Sequence, residues 1–450
     1  MISTETLTEK ANALIAAGGL TNTQLAQLSG IQTSLENSKY VVANIAALPD
    51  AALNTGRFAY VTTEEEFYFS DGEQWTNSWD SSYTVLSSVA YAWGRNQFGN
   101  LGDNTATYRS SPVTVVGGIT NWSSISAGFF HSLGVTDAGI AYAWGWNDRG
   151  QLGDGTTTNR SSPVTVVGDI TNWSSVSAGS RHSLGVTDAG IAYAWGLNNN
   201  GQLGDSTTAD KSSPVTVVGD ITNWSLIAAG WYHSIGVTDA GVAYAWGRND
   251  YGELGDNTTV DKSSPVTVVG GITNWSLVSA GSYHSLGVTD AGVAYAWGRN
   301  NYGQLGDDTT AGRSSPVTVV GDITNCSLVS AGYDYSIGVT DAGIAYAWGR
   351  NQFGNLGDNT TVSKSSPITV VGDITNWSLV VAGYSRSLGV TDTGVAYAWG
   401  RNDFGQLGDD TTDGRSSPVT VVGGITNWSL VAAGFYHSLA LSTDEKGFPT

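Results

Sequence analysis

The five histidines of this chain occupy one position of a repeating pattern, and imidazoles can bind metal ions or act as general bases. They are separated by 51 residues or a multiple of 51: His131, His182, His233, His284 and His437. Equivalent positions in a ring of repeats lie too far apart for their imidazoles to reach one tetrahedral ion. The spacing therefore predicts one histidine per repeat, hydrogen-bonded to the backbone, with no metal and no cofactor.

Other sets of residues that could do chemistry are equally uniform. Paired carboxylates unique to one repeat, a Ser/His/Asp set outside the pattern and a phosphate-binding glycine loop are all missing from the sequence. The single cysteine, Cys326, stands where the six other repeats have Trp, which indicates a core position. We therefore expect no catalytic residues, and we expect that the protein is not an enzyme.

Two pairs of positions vary between repeats that are otherwise nearly identical. One pair follows Ala-Gly and the other follows Trp-Gly-x-Asn, and aromatic residues are frequent at both. Variable turns on a constant scaffold are typical binding sites, and aromatic rings flanked by polar groups suit sugars. The alternative is that these aromatics only pack between repeats. The candidate partner-binding residues are Phe129, Phe130, Arg181, Trp231, Tyr232, Tyr283, Tyr333, Asp334, Tyr384, Phe435, Tyr436, Phe98, Arg149, Tyr251, Tyr302, Phe353 and Phe404.

The chain contains seven Trp-Gly pairs, each 51 residues after the last, and this repeat indicates which strands position these residues. The tryptophans of the pairs are Trp93, Trp144, Trp195, Trp246, Trp297, Trp348 and Trp399. In the fourth copy, strands are predicted at 243–246, 266–269, 275–279 and 284–289. Four short strands per repeat predict an all-β fold, a seven-bladed β-propeller over residues 83–450. The first and last strands are hairpin partners in every internal copy, so they can pair and close the ring.

Composition excludes several classes of function. The chain carries a formal net charge of −20, which repels phosphate backbones, so we expect no nucleic-acid partner. The sequence contains no run of about 18 apolar residues, so membrane insertion is not expected. The first 19 residues lack the basic start and continuous apolar stretch of a secretory signal.

The motifs of one repeat resemble those of a known family. Trp-Gly with Asn-x-x-Gly-x-Leu-Gly, Pro-Val and Ala-Gly-x-x-His-Ser-Leu are similar to the regulator-of-chromosome-condensation repeat, over about residues 83–445. The resemblance implies the propeller fold, and it specifies activity only weakly because this fold carries many roles. The founding member is a nucleotide-exchange factor for the Ran GTPase that also binds nucleosomes. The resemblance therefore implies an alternative function, an interaction or effector protein acting on a small GTPase.

The first 82 residues predict a separate attachment region. Residues 1–50 contain amphipathic patterns that predict a helical attachment segment. Residues 51–82 predict a small β-meander with strands at 57–62, 66–70 and 73–76. This segment resembles a module of tailed-phage virion proteins, through Gly-x-x-Ala-Tyr-Val-Thr followed by Phe-Tyr-x-x-Asp-Gly-x-x-Trp.

These features lead to the prediction of a bacteriophage structural protein. It would be a surface appendage of the virion, such as a tail fibre, a tail tip or a head decoration, serving host recognition and viral attachment. The expected partners are other virion proteins through residues 1–82 and a host surface glycan or protein through the propeller. Several copies per particle, or a homo-oligomer, would add avidity. The expected location is the exterior of the virion.

Overall fold

The computed structural model describes residues 86–445, apart from 220, 322 and 324, and four short strands that precede them. These strands, Val41–Val42, Phe58–Val61, Glu66–Ser70 and Trp75–Thr76, form one sheet in chain order. The last three match the predicted meander. The helical segment predicted within residues 1–50 lies outside the described residues. The chain divides into two compact units, of which Ser87–Asp444 is the larger.

The larger unit is a propeller of seven four-stranded antiparallel sheets, as the repeat predicts. The strands that contact one another around the axis are the inner strands: Trp122–Ala127, Trp173–Ala178, Trp224–Ala229, Trp275–Ala280, Cys326–Ala331, Trp377–Ala382 and Trp428–Ala433. The second strands are His131–Thr136, His182–Thr187, His233–Thr238, His284–Thr289, Tyr335–Thr340, Arg386–Thr391 and His437–Glu445. We number the blades from 1 to 7 in this order.

Two further strands complete each blade. The third strands, for blades 1 to 7, are Ala141–Gly145, Ala192–Gly196, Ala243–Gly247, Ala294–Gly298, Ala345–Gly349, Ala396–Gly400 and Leu86–Gly94. The outer strands are Arg160–Thr165, Lys211–Thr216, Lys262–Thr267, Arg313–Thr318, Lys364–Thr369, Arg415–Thr420 and Arg109–Thr114. Blade 7 therefore combines the last two strands of the propeller with its first two, which closes the ring as predicted.

One predicted strand is misplaced. The outer strand of the fourth copy runs over Lys262–Thr267, not over 266–269, and Pro265 lies inside it. Its register against the third strand shifts between Ala245 and Gly247, which marks a bulge. Proline is tolerated there because an outer strand has a free edge, where a missing N–H breaks no ladder bond.

The hydrophobic core lies between blades. Trp195 and Leu152 are fully buried and pack with Trp173 against the second and third strands of blade 1. The same arrangement recurs around the ring, and each blade therefore needs its neighbour to cover its face. Cys326 is buried at the position of the missing Trp, as predicted.

The loop after Trp-Gly has a constant base, which is held by backbone geometry and one buried amide side chain. Gly247 has φ +101°, and a Cβ there would lie 2.6 Å from the Tyr232 carbonyl oxygen, so only glycine fits. Asn249 Oδ1 accepts from the Leu254 N–H at 3.0 Å, and its Nδ2 donates to Asp256 Oδ1 at 3.0 Å. This network fixes the base of the loop while leaving its tip free to vary.

Candidate functional site: a face of aromatic and arginine residues

Both variable pairs lie at one end of the blades. Each inner strand ends at Ala-Gly-x-x and each third strand ends at Trp-Gly, and the strands between them are antiparallel. The two kinds of turn therefore meet at the same end, which we call the variable face. The Thr-Asp-Ala-Gly turns and the loops that lead to the next inner strand form the opposite face.

The first residue of each Ala-Gly-x-x turn points towards the axis. Five of these residues are aromatic and half-buried, and we call them the axial cluster: Phe129, Trp231, Tyr333, Tyr384 and Phe435. The Tyr384 and Phe435 rings stack with centroids 3.6 Å apart, and Phe129 lies 4.1 Å from Phe435. Contacts of this kind contribute about 0.5–1.5 kcal/mol each beyond area burial.

Trp231 is the hub of the axial cluster. Its ring centroid lies 5.0 Å from Tyr333, 5.6 Å from Phe435 and 5.7 Å from Phe129. The two neighbouring blades carry serines at the equivalent position, Ser180 and Ser282. The small neighbours leave room for the indole to reach rings from five other blades. Beneath the cluster, an axial pocket is lined by the Ala-Gly-x residues of all seven blades.

The second residues of the turns form a ring around this cluster. Phe130 and Asp334 are buried, with 7% and 2% exposed, so these two predicted contact residues are not available at the surface. Tyr232, Tyr283 and Tyr436 are half-buried. The structure therefore supports the packing alternative for part of the set.

The residues after Trp-Gly-x-Asn surround the second ring. The most exposed aromatics among them are Tyr251 and Tyr302, at 41% and 37%. The remaining aromatics, Phe98, Phe353 and Phe404, are half-buried, and Arg149 is exposed. All seventeen predicted residues lie on the variable face.

Sequence reasoning missed a set of arginines on this face. The residue directly after Trp-Gly is arginine in five blades, and each of the five lies over aromatic rings: Arg95, Arg248, Arg299, Arg350 and Arg401. Arg181 lies over Trp146, with 4.3 Å from its guanidinium carbon to the ring centroid. The sequence did contain a signal for these arginines. The residue directly after Trp-Gly also varies between repeats, it lies close to one of the two predicted pairs, and it is most often arginine although the chain is acidic.

The remaining basic residues at this end are structural. Each outer strand begins with Arg or Lys, which pairs with the Asp of the Leu-Gly-Asp turn, as Arg160 Nη2 does with Asp154 Oδ2 at 2.8 Å. These aspartates are nearly buried. Burial raises the pKa of Asp154, but hydrogen bonds from Thr156, Arg160 and Asn147 outweigh it, and the pKa is lowered overall.

Two buried carboxyl groups lie beneath the variable face. Burial raises the pKa of Asp334 to about 6, although Arg299 and Arg350 lie 3.6 Å and 3.5 Å away and oppose the shift. Burial also raises the pKa of Glu253 to about 7. Its Oε2 accepts from the Tyr251 N–H at 2.8 Å, and its buried Oε1 has no hydrogen-bond partner. Other blades carry Gln or Asn at this position.

The histidines bond from blade to blade. His131 Nε2 lies 3.0 Å from Ser183 Oγ of the next blade, and that hydroxyl donates to the Gln151 carbonyl at 2.8 Å. The imidazole must therefore donate Nε2–H. Burial lowers the pKa of His131 to about 3. The sequence-based expectation of a backbone partner is corrected: the partner is a serine side chain.

The histidine position is filled differently in blades 5 and 6, by Tyr335 and Arg386. The Tyr335 hydroxyl lies 3.0 Å from Ser387 Oγ, and Arg386 Nε donates to Ser438 Oγ at 3.1 Å. The link to the next blade is therefore kept. In the part of the chain that the structure describes, no group of His, Cys, Asp or Glu is placed to hold a metal ion. Nor do the described residues include a helix long and apolar enough to cross a membrane.

Comparison with known families matches almost the whole propeller. Residues 227–449 match the family described as RCC1-like domain. Residues 89–135, 138–186 and 189–237 match the family described as regulator of chromosome condensation (RCC1) repeat.

Curated relatives include a plant receptor and a human ligase. The ultraviolet-B receptor UVR8 of Arabidopsis thaliana is 32% identical over 351 residues, covering 76% of this chain and 79% of the receptor. The E3 ubiquitin-protein ligase HERC2 of Homo sapiens is 31% identical over 390 residues, covering 82% of this chain. The chain spans only 8% of the length of HERC2.

Solved structures show the same fold. Human WBSCR16 superposes with a TM-score of 0.71 at 22% identity, covering 80% of this chain and 99% of that one. Yeast RCC1 (Prp20), in its complex with Kap60, gives a TM-score of 0.72 at 19% identity, covering 82% and 92%.

These relatives overturn the predicted function. They are proteins of plants, animals and yeast rather than virion components. The prediction of a phage tail fibre or head appendage is therefore wrong. The predicted partners were virion proteins through residues 1–82 and a host surface glycan or protein through the propeller. These partners and the virion location are also wrong. The resemblance to phage proteins covers only about thirty residues, whereas the repeat covers most of the chain and is the stronger indication of family.

Proposed function

Since this chain belongs to the regulator of chromosome condensation (RCC1) repeat family, we propose that it is a protein-binding propeller whose variable face receives the partner. In this proposal the propeller acts by contact rather than by catalysis. The ligase activity in the name of HERC2 belongs to a protein of which this chain spans 8%.

The main support for this proposal is the set of positions at which the repeats differ. Buried positions such as Trp246, Leu254 and Asn249 are nearly constant from blade to blade, whereas the Ala-Gly-x-x turns differ in every blade. Constant residues suffice to build seven blades, so the variable turns are free to serve another purpose.

The chemistry of the variable face suits a protein partner. Interfaces between proteins are enriched in aromatic residues and arginine at their energetic centres. The axial cluster supplies half-buried rings, and the arginines after Trp-Gly lie over further rings around it. A tyrosine such as Tyr302 offers both a ring and a hydroxyl at the rim.

Residue types from other blades provide matched variants for the test. In the double variant Trp231→Ser and Tyr232→Ser, both replacements occur naturally at equivalent positions, Ser180 and Ser385. The control is Asp169→Gly on the opposite face, where Gly118 is the equivalent residue and Asp169 already has φ 55°. Both variants should keep the fold.

The immobilised 450-residue chain should be compared with these variants for the proteins that it retains from a cell lysate, quantified by mass spectrometry. We expect partners that the wild-type protein and Asp169→Gly retain equally and that the double variant loses by tenfold or more, as for interface hot spots. Equal retention by all three proteins would contradict the proposal.

A small GTPase is a second candidate, and it defines the first partner class to test. The family resemblance implies it, and the yeast propeller Prp20p is described with its binding properties to Gsp1p and histones. Release of a fluorescent guanine nucleotide from purified GTPases should accelerate on addition of the chain, and the double variant should accelerate it less. Unchanged release across a panel of GTPases rules out exchange activity while leaving other protein partners open.

A further inference from the structure

We propose that Arg95 is the anchor for a carboxylate of the partner, and that the partner docks through a segment combining acidic and aromatic side chains. This inference rests on the proposed function, because it assigns the partner chemistry of the same variable face.

Arg95 differs from the other arginines that follow Trp-Gly. Each of the others lies close to a carboxylate: Arg248 with Asp250, Arg401 with Asp403, and both Arg299 and Arg350 with Asp334. Among the described residues, no carboxylate lies within ion-pair distance of Arg95. Its Nη2 donates to Gln97 Oε1, and its buried Nε has no acceptor.

The position two residues further on explains the difference. It is Asp148, Asp250 or Asp403 in three blades, and Gln97 takes that place beside Arg95. Gln352 does the same beside Arg350, but Arg350 reaches Asp334 of its own blade. In blade 7 the residue equivalent to Asp334 is Tyr436, so Arg95 has no carboxylate of its own blade to pair with at that position.

Three aromatic rings surround the unpaired guanidinium. Its carbon lies 5.1 Å from the Phe130 centroid, 5.0 Å from Phe404 and 5.0 Å from Tyr436. The rings attract the cation but accept no conventional hydrogen bond from its N–H groups. They also exclude water from its faces. An incoming carboxylate would therefore meet a partly desolvated donor, where charge-assisted hydrogen bonds are strongest.

The basic side chains of the propeller are concentrated at this face. Within residues 86–443, every lysine and arginine lies at the variable-face end of the blades, and the opposite face carries aspartates such as Asp137 and Asp188 without them. Against a net charge of −20, the variable face is therefore the part of the propeller where an acidic segment is least repelled. The axial cluster beside Arg95 would receive its aromatic side chain.

The test uses rhodamine-labelled peptides and the full chain, with binding followed by fluorescence anisotropy. The probe is Glu-Glu-Trp-Glu-Glu, and the comparison peptide is Gln-Gln-Trp-Gln-Gln. We expect the glutamate peptide to bind more tightly than the glutamine peptide despite the acidic net charge of the protein.

Two variants remove the anchor in different ways. Arg95→Leu installs the residue found at the equivalent Leu197, and Gln97→Asp supplies the internal carboxylate that Arg248 and Arg401 already have. Each variant should weaken binding of the glutamate peptide by about 30-fold. A loss of this size is typical when one member of a desolvated charge pair is removed or already has another partner. The control, Asp169→Gly on the opposite face, changes the net charge by one unit, as each of these variants does, and should change affinity less than threefold.

The outcomes separate this inference from the proposed function. If Glu and Gln peptides bind equally, or if Gln97→Asp binds as tightly as wild type, the carboxylate anchor is wrong. Loss of lysate partners by the Trp231→Ser/Tyr232→Ser variant would still support the variable face as the binding site. If the double variant retains those partners, the proposed function is wrong, whatever the result of the peptide experiment.

Discussion

The buried layer between blades and the variable face are built by the same 51-residue repeat, yet they tolerate change very differently. The Trp and Leu that fill the spaces between blades are fully buried and recur in nearly every copy. The turns of the variable face differ in every copy while their backbone stays the same. Substitution should therefore cost stability in the first region and binding in the second.

The largest effect on folding should come from Trp275→Cys, which copies into blade 4 the residue of blade 5. Trp275 packs against Tyr295 and Trp297, with centroids 5.4 Å and 5.7 Å away. Emptying this site should reduce the free energy of unfolding by about 3–5 kcal/mol, measured by chemical denaturation. Trp231→Ser on the variable face should cost less, about 2 kcal/mol, because the half-buried indole loses ring contacts but leaves no cavity between blades. Equal losses for the two would remove the distinction between the regions.

The next largest effect should come from Glu253→Gln and should depend on pH. Because the pKa of the buried Glu253 is raised from 4.5 to about 7, its contribution to stability is fully present below about pH 4.5 and is lost as pH rises through 7. Glutamine, as at Gln202 and Gln304, has no such loss. The variant should gain roughly 2–3 kcal/mol at pH 8 and nothing at pH 4, measured by denaturation at both values. A gain of the same size at both pH values would assign the effect to packing rather than ionisation.

Cys326→Trp should stabilise the protein modestly. Gly338 faces this site, and five other blades use the same glycine position to make room for Trp, as Gly287 does for Trp275. Blade 7 carries the small residue Ala440 there. Restoring the indole should raise the free energy of unfolding by about 1–2 kcal/mol. Cys326→Ala is the control, since it removes the thiol without filling space. A melting temperature lowered by the tryptophan would show that blade 5 has repacked around the smaller residue.

The smallest effect should come from Tyr251→Asn, which installs the residue of the equivalent Asn200. Tyr251 is 41% exposed and touches Arg248 and Arg299 through its ring. Its loss should change the free energy of unfolding by about 0.5 kcal/mol or less, measured by the same denaturation experiment. A loss comparable to that of Trp275→Cys would place Tyr251 in the structural layer instead.

Much of the fold could be read from the sequence because its signals are local and repeated. The Trp-Gly pair, the hairpin at Asp-Ala-Gly and the alternating strands each depend on residues close in sequence, and seven copies reinforced them. The outer strand was misplaced because proline was interpreted as a boundary. On an outer strand with a free edge, Pro265 is instead accommodated within a bulge.

The candidate site was predictable only in part. Variation between copies located the face, but burial of Phe130 and Asp334 was not visible in the sequence, because neighbouring residues of one turn point in different directions. The arginines were overlooked because their importance depends on the rings they lie over. Several of those rings, such as Phe130 and Phe404 around Arg95, belong to turns of neighbouring blades.

The sequence by itself determined the number of blades, the strands and the buried residues between blades, since each depends on a period that one chain displays directly. Only the tertiary structure decided that Trp231 lies at the centre of the axial cluster and that Arg95 has rings around it but no carboxylate. Arg95 meets Phe404 and Tyr436, more than 300 residues away in sequence, only because ring closure makes blade 7 from both ends of the propeller. Contacts that depend on closure have no sequence period to reveal them.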